Sequence, residues 1–177
     1  MANTSRVFGF KPVKHFSGAP YNGQANIYEV SASETVPVFA GDFVVRSTNA
    51  STSGLVTVKS LSAHATDAND VTAGVILGAV VGVVNGKLDP DGKMSAGSIS
   101  LDTPQYIAAG TAGYVLVADS PDLIFETQST ASYALADIGL NADVGVLANA
   151  AAKTTGTSPM YVNATSPTAS ATRPVHV

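Results

Sequence analysis

The chain has 177 residues, of which 45% are hydrophobic but only 12% charged, with a formal net charge of −4 and neither cysteine nor tryptophan. This length fits one domain with a real core, and the charged fraction is far below both the usual value of about 25% and that of a disordered chain. Disulfides, thiolate catalysis and cysteine metal sites are excluded, and the net negative charge without a cluster of Lys and Arg disfavours recognition of bare nucleic acid.

Residues 1–23 read as an extended arm. No apolar run follows Met1–Ser5, so no secretory signal is expected. Arg6, Val7, Phe8, Gly9, Phe10, Lys11, Pro12, Val13, Lys14, His15 and Phe16 set three aromatics and four cations in a segment with no helical period. Two arrangements are open. The phenylalanines pack on their own domain as an N-terminal strand, or Phe8, Phe10 and Phe16 lie on a neighbouring molecule with Arg6, Lys11 and Lys14 against acidic groups there. A buried Phe stabilises by about 2–3 kcal/mol and ordering costs about 1–2 kcal/mol per residue, so such an arm holds firmly only in several copies.

Residues 24–150 form the β-rich core. Ile27–Val30, Val36–Phe39, Phe43–Arg46, Leu55–Lys59, Val75–Val84, Ser98–Leu101 and Tyr114–Val117 are short β-branched or aromatic runs between turn residues. They predict an all-β fold, a compact barrel or sandwich of short antiparallel strands with at most one short helix. Ala40-Gly41-Asp42 and Asn85-Gly86 are hairpin signals. Leu88–Lys93 is a turn that lacks the ligands of a calcium loop. Val71–Val84 is the most apolar stretch, yet it is too short and glycine-rich to span a bilayer. Its glycines, Gly74, Gly78 and Gly82, stand among valines, which favours strand bulges or tight corners.

The clearest hairpin runs from Gly113 to Gln128, with Asp119, Ser120, Pro121 and Asp122 as its turn. Alternation sets Val115 and Val117 on one face and Tyr114, Leu116 and Ala118 on the other, with Leu116 expected to be essential to the core. Asp119, Asp122 and Glu126 serve as turn caps and solvated strand positions. A short helix is expected over Tyr133–Ile138, stopped by Gly139. Residues 151–177 are rich in Ala, Thr, Ser and Pro, with apolar anchors at Met160, Tyr161, Val162, Val175 and Val177. They read as an extended C-terminal strand or ribbon, packed on its own subunit or on another.

Chemistry is sparse. His15, His64 and His176 are scattered, and no HExxH, Walker loop, nucleophile elbow or Gly-x-Gly-x-x-Gly is present. No catalytic, cofactor or metal residue is assigned, and the chain reads as a non-catalytic, assembling structural protein.

The opening Met-Ala-Asn-Thr-Ser-Arg-Val-Phe-Gly-Phe-Lys-Pro-Val-Lys-His, Pro20–Ala25, the Tyr114–Gln128 segment and Asp137–Asp143 together resemble a family of small virion proteins of tailed bacteriophages, the capsid decoration or cement proteins. The resemblance spans most of the chain and rests on turns and strands. It implies a β-rich homotrimer on the outer surface of the capsid that bridges and stabilises subunits of the major capsid protein, with no role for nucleic acid or membrane. In that setting Phe8, Phe10 and Phe16 are the expected apolar anchors and Arg6, Lys11 and Lys14 the expected cations. A phage tail or head-fibre component or surface adhesin shares this composition, but no internal repeat is found. A carbohydrate-binding module needs exposed aromatics, yet most here sit inside apolar runs.

Overall fold

The computed structural model describes residues 7–61, 76–84, 106–129, 131–146, 156–169 and 175–177. Arg6, the polar loop 62–70, Gly74, the Asn85-Gly86 turn, the 88–93 turn and the Ser98–Leu101 strand lie outside the described residues. The fold is all-β. Its strands are β1 (Lys11–His15), β2 (Asn26–Val30), β3 (Val38–Phe39), β4 (Phe43–Arg46), β5 (Val58–Ser60), β6 (Ile76–Val84), β7 (Tyr106–Ile107), β8 (Gly113–Ala118), β9 (Leu123–Glu126), β10 (Asn141–Val146), β11 (Met160–Thr168) and β12 (Val175–His176).

The central sheet has the order β2-β8-β6-β4-β5 and is antiparallel throughout. Its edge strands meet through a single parallel bridge, Glu29 with Thr57, where the Glu29 N–H donates to the Val56 carbonyl at 3.1 Å. The sheet therefore curls back on itself, yet it stays an open, sandwich-like layer and not a closed barrel. Strands of a sheet covered on both sides read as continuous apolar runs, and successive residues here feed opposite cores. Val44 and Val80 join Val30, Val38, Val58, Ile107, Val115 and Val117 inside the curl, capped by the small β3–β7 pair. Phe43 and Ala79, the residues just before them, join Phe10, Ala142, Met160 and Val162 in a second core outside it. Over that outer face lie the β1–β9 ribbon and the β11-β10-β12 sheet.

Two glycines of β6 are the expected irregularities. The register slips beside Gly78 against β4 and beside Gly82 against β8, which is where a bulge inserts its extra residue. A Cβ on Gly78 would collide with the backbone carbonyl of Ala118.

The segment Gly113–Gln128 is not a hairpin. Strand β8 pairs with β2 and β6, whereas β9 pairs with β1, so the turn at 119–122 carries the chain from the central sheet to the ribbon. The physical reason is burial. Val115 and Val117 are sealed within the inner core, and Phe125 must reach the outer one, where its ring meets Phe43 edge-on at 5.2 Å. Leu116 is half-buried and lies against Gly82, so it is not the essential core residue expected. The Phe39–Asp42 turn likewise joins two sheets, with Gly41 at φ +92°. Instead of a helix over Tyr133–Ile138 there is one 3-10 turn, Leu135–Asp137, because none of its residues is buried and tertiary packing does not extend it.

Residues 7–23 belong to the folded layer. Beyond β1, the Tyr21 N–H donates to the Val13 carbonyl at 3.0 Å and the His15 N–H to that of Ala19 at 2.8 Å, so the chain folds back along the strand. The start of the ribbon docks through a glycine contact: the Phe10 N–H donates to the Gly41 carbonyl at 2.8 Å, and any Cβ on Gly9, at φ +77°, would strike Gly41 and Ser158. The C-terminal segment packs on its own subunit, as β11 and β12 on either side of β10.

Candidate interaction surface

The ribbon sorts the expected contact residues by face. Pro12 is buried opposite Phe125, alternation turns Val13 outward, and the register slip between Pro12 and Lys14 leaves Lys14 outward as well. Phe10 is 2% exposed and stacks on Phe43 with ring centroids 3.7 Å apart. It is a core residue and cannot anchor a partner. Gly9 in the left-handed region, held against Gly41 and Ser158, breaks the alternation that would otherwise have aligned Phe8 with Phe10. Phe8, at 36%, and Phe16, at 84%, remain exposed. Lys11 and Lys14 are exposed on the same strand, and Arg6 lies outside the described residues.

Two grooves border this ribbon. A shallow one of about 420 Å³ is lined by Phe8, Lys11, Tyr21 and the exposed Val81, with Gly41 and Thr157 among its other walls. A larger one of about 990 Å³ lies between β9 and the chain end at β12. Phe10, Phe43 and Phe125 contribute to its apolar lining, and Phe16, Ile124 and His176 also line it. Thus the structure gathers Phe8 with Lys11 at one groove and places Phe16 at the other.

The carboxylates serve the framework. Asp119 accepts both contacts of the Asn26 amide, at 3.0 and 2.9 Å, and the Tyr28 hydroxyl at 2.6 Å. Burial and then the Asp119 carboxylate push the Tyr28 phenol up to about 12. Asp122 accepts from Ser120 at 2.6 Å and meets His15 Nδ1 at 3.0 Å, and these contacts, Ser120 first, hold its carboxyl below the usual range. Glu126 is exposed opposite Lys11 in the ribbon register.

Two buried acids escape a reading of the sequence. Glu29 accepts hydrogen bonds from the hydroxyls of Ser51, Thr52 and Ser53 and from the backbone N–H groups of Thr52 and Ser53, at 2.6–3.1 Å. Burial alone would raise its carboxyl, but those donors outweigh it and hold it down at about 2. Glu34 accepts from Ser47 at 2.5 Å and from the Asn49 amide at 2.8 Å. Together they pin the loop between β4 and β5. The available signal was a lone acid within the Ile27–Val30 run followed by the hydroxyl-rich stretch 47–53.

Because the folded value of Glu29 lies below its ordinary one, its stabilisation is present above about pH 4.5 and is lost as pH falls toward about 2. Glu29→Gln is expected to cost about 1–3 kcal/mol, since an amide leaves some donors unmet. Hydrogen exchange should report the loss first at the Thr52 and Ser53 amides, and unchanged protection there would refute the clamp. Comparison with known protein families, curated proteins and solved structures returns no match to this chain.

Proposed function

We propose that this chain is a non-catalytic structural protein that decorates the outer surface of a bacteriophage capsid, binding the major capsid protein through the exposed face of β1 and bridging capsid subunits. The nature of the partner rests on the resemblance in the opening segment, Pro20–Ala25, Tyr114–Gln128 and Asp137–Asp143. The observation that supports an attachment face is the exposure of Lys11 and Lys14 on β1 and of Phe8 and Phe16 on the segments that flank it. Anchors already held in or beside a strand, as the Phe10 N–H on the Gly41 carbonyl and the Phe16 N–H on the Asp122 carbonyl hold these, bind without the ordering cost of a free arm. The acting set is therefore Phe8, Lys11, Lys14 and Phe16, without Phe10.

Co-sedimentation with undecorated capsids tests this reading. The wild-type protein is expected to bind in stoichiometric amount. Phe8→Ala is expected to weaken binding by about tenfold at every salt concentration. Lys11→Gln with Lys14→Gln weakens it mainly at low salt, because exposed pairs contribute about 0–1 kcal/mol and are screened. Deleting residues 1–14 is not a clean test, since it removes Phe10 and most of β1. Absence of binding, or equal binding by all variants, overturns the proposal.

A further inference from the structure

The sequence has two Asn-Gly pairs, Asn22-Gly23 and Asn85-Gly86, of which the first lies among the described residues. It forms an exposed turn between the segment that folds back along β1 and strand β2. The Gln24 N–H donates to Asn22 Oδ1 at 3.0 Å, and the Tyr21 hydroxyl donates to the Gln24 carbonyl at 2.9 Å. Gly23 stands at φ +85°, and a Cβ built there would meet nothing within 4 Å. The turn is thus ordered, yet open to water.

Its chemistry is that of an electrophile beside a nucleophile. The side-chain carbonyl carbon of Asn22 is followed by the Gly23 amide nitrogen, which has no side chain of its own to shield it. Attack by that nitrogen drives negative charge onto Oδ1, the atom on which the Gln24 N–H already rests at the length of an oxyanion donor. The leaving group, Nδ2, meets no acceptor among the described residues. Other asparagines are placed differently. Asn26 and Asn49 donate Nδ2 to the carboxylates of Asp119 and Glu34, at 2.9 and 2.8 Å, and precede Ile27 and Ala50. Asn141 and Asn163 are paired within β10 and β11 and precede alanine.

We propose that Asn22 is a self-modification site, at which the chain converts a side-chain amide into a carboxylate through a cyclic imide formed with Gly23. Hydroxide takes the Gly23 amide proton, the nitrogen bonds to Asn22 Cγ, and the Cγ–Nδ2 bond breaks, so that Nδ2 leaves as ammonia with a proton from water. Water then opens the ring. Cleavage of the new Cγ–N bond gives aspartate, whereas cleavage at the Asn22 backbone carbonyl gives an isoaspartyl link that routes the chain through the side chain. The sum is amide plus water to acid plus ammonia, and nothing is oxidised or reduced. The product is ionised at neutral pH. It stands one residue from Tyr21, which lines the shallow groove with Phe8 and Lys11, so the protein gains a negative charge with age at the border of its cationic strand.

The full chain, held at neutral and at mildly alkaline pH, is digested with trypsin and mapped by mass spectrometry. Fragmentation separates Asn22 from Asn26, and Asn85 is read in a peptide of its own. Acid at position 22, part of it isoaspartyl, should accumulate several-fold faster than at Asn26 or Asn49, and faster at the higher pH because the attacking nitrogen must lose its proton. Asn22→Gln, which would need a larger ring, should form no such product at position 22 and keep the circular dichroism of the wild type. The proposal is overturned if Asn22 keeps its amide as long as Asn49 does, if the rate does not rise with pH, or if aspartate forms without its isomer, as direct hydrolysis would give. No capsid enters the measurement, so its outcome is separate from that of the attachment reading.

Discussion

Replacing Phe10 with Ala should cost about 3–5 kcal/mol, the range for deleting a buried aromatic that its surroundings cannot collapse around. Phe10 is stacked on Phe43, which in turn holds Phe125 edge-on, so one truncation opens a cavity beneath both the ribbon and the central sheet. Most of that cost falls on the outer core. Phe16→Ala, just beyond the other end of β1 and facing water, should leave stability within about 0.5 kcal/mol of wild type. Urea melts of the two variants decide the point. Equal midpoints would mean that Phe10 is not the residue that joins the ribbon to the core.

A second large effect should come from Asp42, and its sign is the reverse. The carboxylate is fully buried, accepts the Phe39 N–H at 3.1 Å and the Ser60 hydroxyl at 2.9 Å, and faces the Ser158 hydroxyl, yet its Oδ1 is left without a well-formed hydrogen bond. Burial, opposed by Ser158, Phe39 and Ser60, pushes the carboxyl up to about 6 from an ordinary 3.8. The folded state therefore takes up a proton that the unfolded chain does not bind until lower pH. Ionised Asp42 costs the fold about 3 kcal/mol above pH 6, and stability rises as pH falls from about 6 toward 3.8. Acidifying from pH 7 to pH 5 should add about 1 kcal/mol. Glu29 opposes this only below about pH 4.5, outside that window. Asp42→Asn keeps both acceptor contacts without the charge, so it should stabilise the protein at pH 7 by about 1–3 kcal/mol and flatten the profile between pH 5 and 7. Denaturant melts at several pH values measure both; a flat wild-type profile, or a less stable variant, would refute the assignment.

The readability of the sequence follows from which forces act locally. Strand β4 was legible to the residue, because Phe43–Arg46 is a β-branched run closed by turn residues on one side and polar residues on the other. The glycines of β6 were legible too, since small residues among valines have few uses besides bulges and close backbone approach. Pairing was not. The runs around Val115 and Phe125 carry the same alternation whether they bond to each other or cross into different sheets. The choice is made by distant partners, Asn26–Val30 for one and Lys11–His15 for the other. On the ribbon, the sequence marked a segment rich in phenylalanines and cations but not which phenylalanine turns inward. That was decided by Gly9 meeting Gly41 and Ser158, residues far along the chain. Leu135 and Ile138 went unrecognised as surface features because Tyr133–Ile138 reads as a short helix stopped by Gly139, and no burial extends that turn.

The junction of Gly9, Gly41 and Ser158 also constrains the order of events in folding. The Phe43 N–H donates to Met160 Sδ at 3.2 Å across 117 positions of sequence, and the Ser158 N–H donates to the Ala40 carbonyl at 2.9 Å. Loop closure over such separations is slow and must precede any gain from the contact. During synthesis the inner core can begin to assemble once β8 has emerged, but Phe10 and Phe43 stay partly uncovered until residues 158–162 arrive. A nascent chain stalled before that point presents bare aromatics to its surroundings, the kind of exposed surface through which folding intermediates associate.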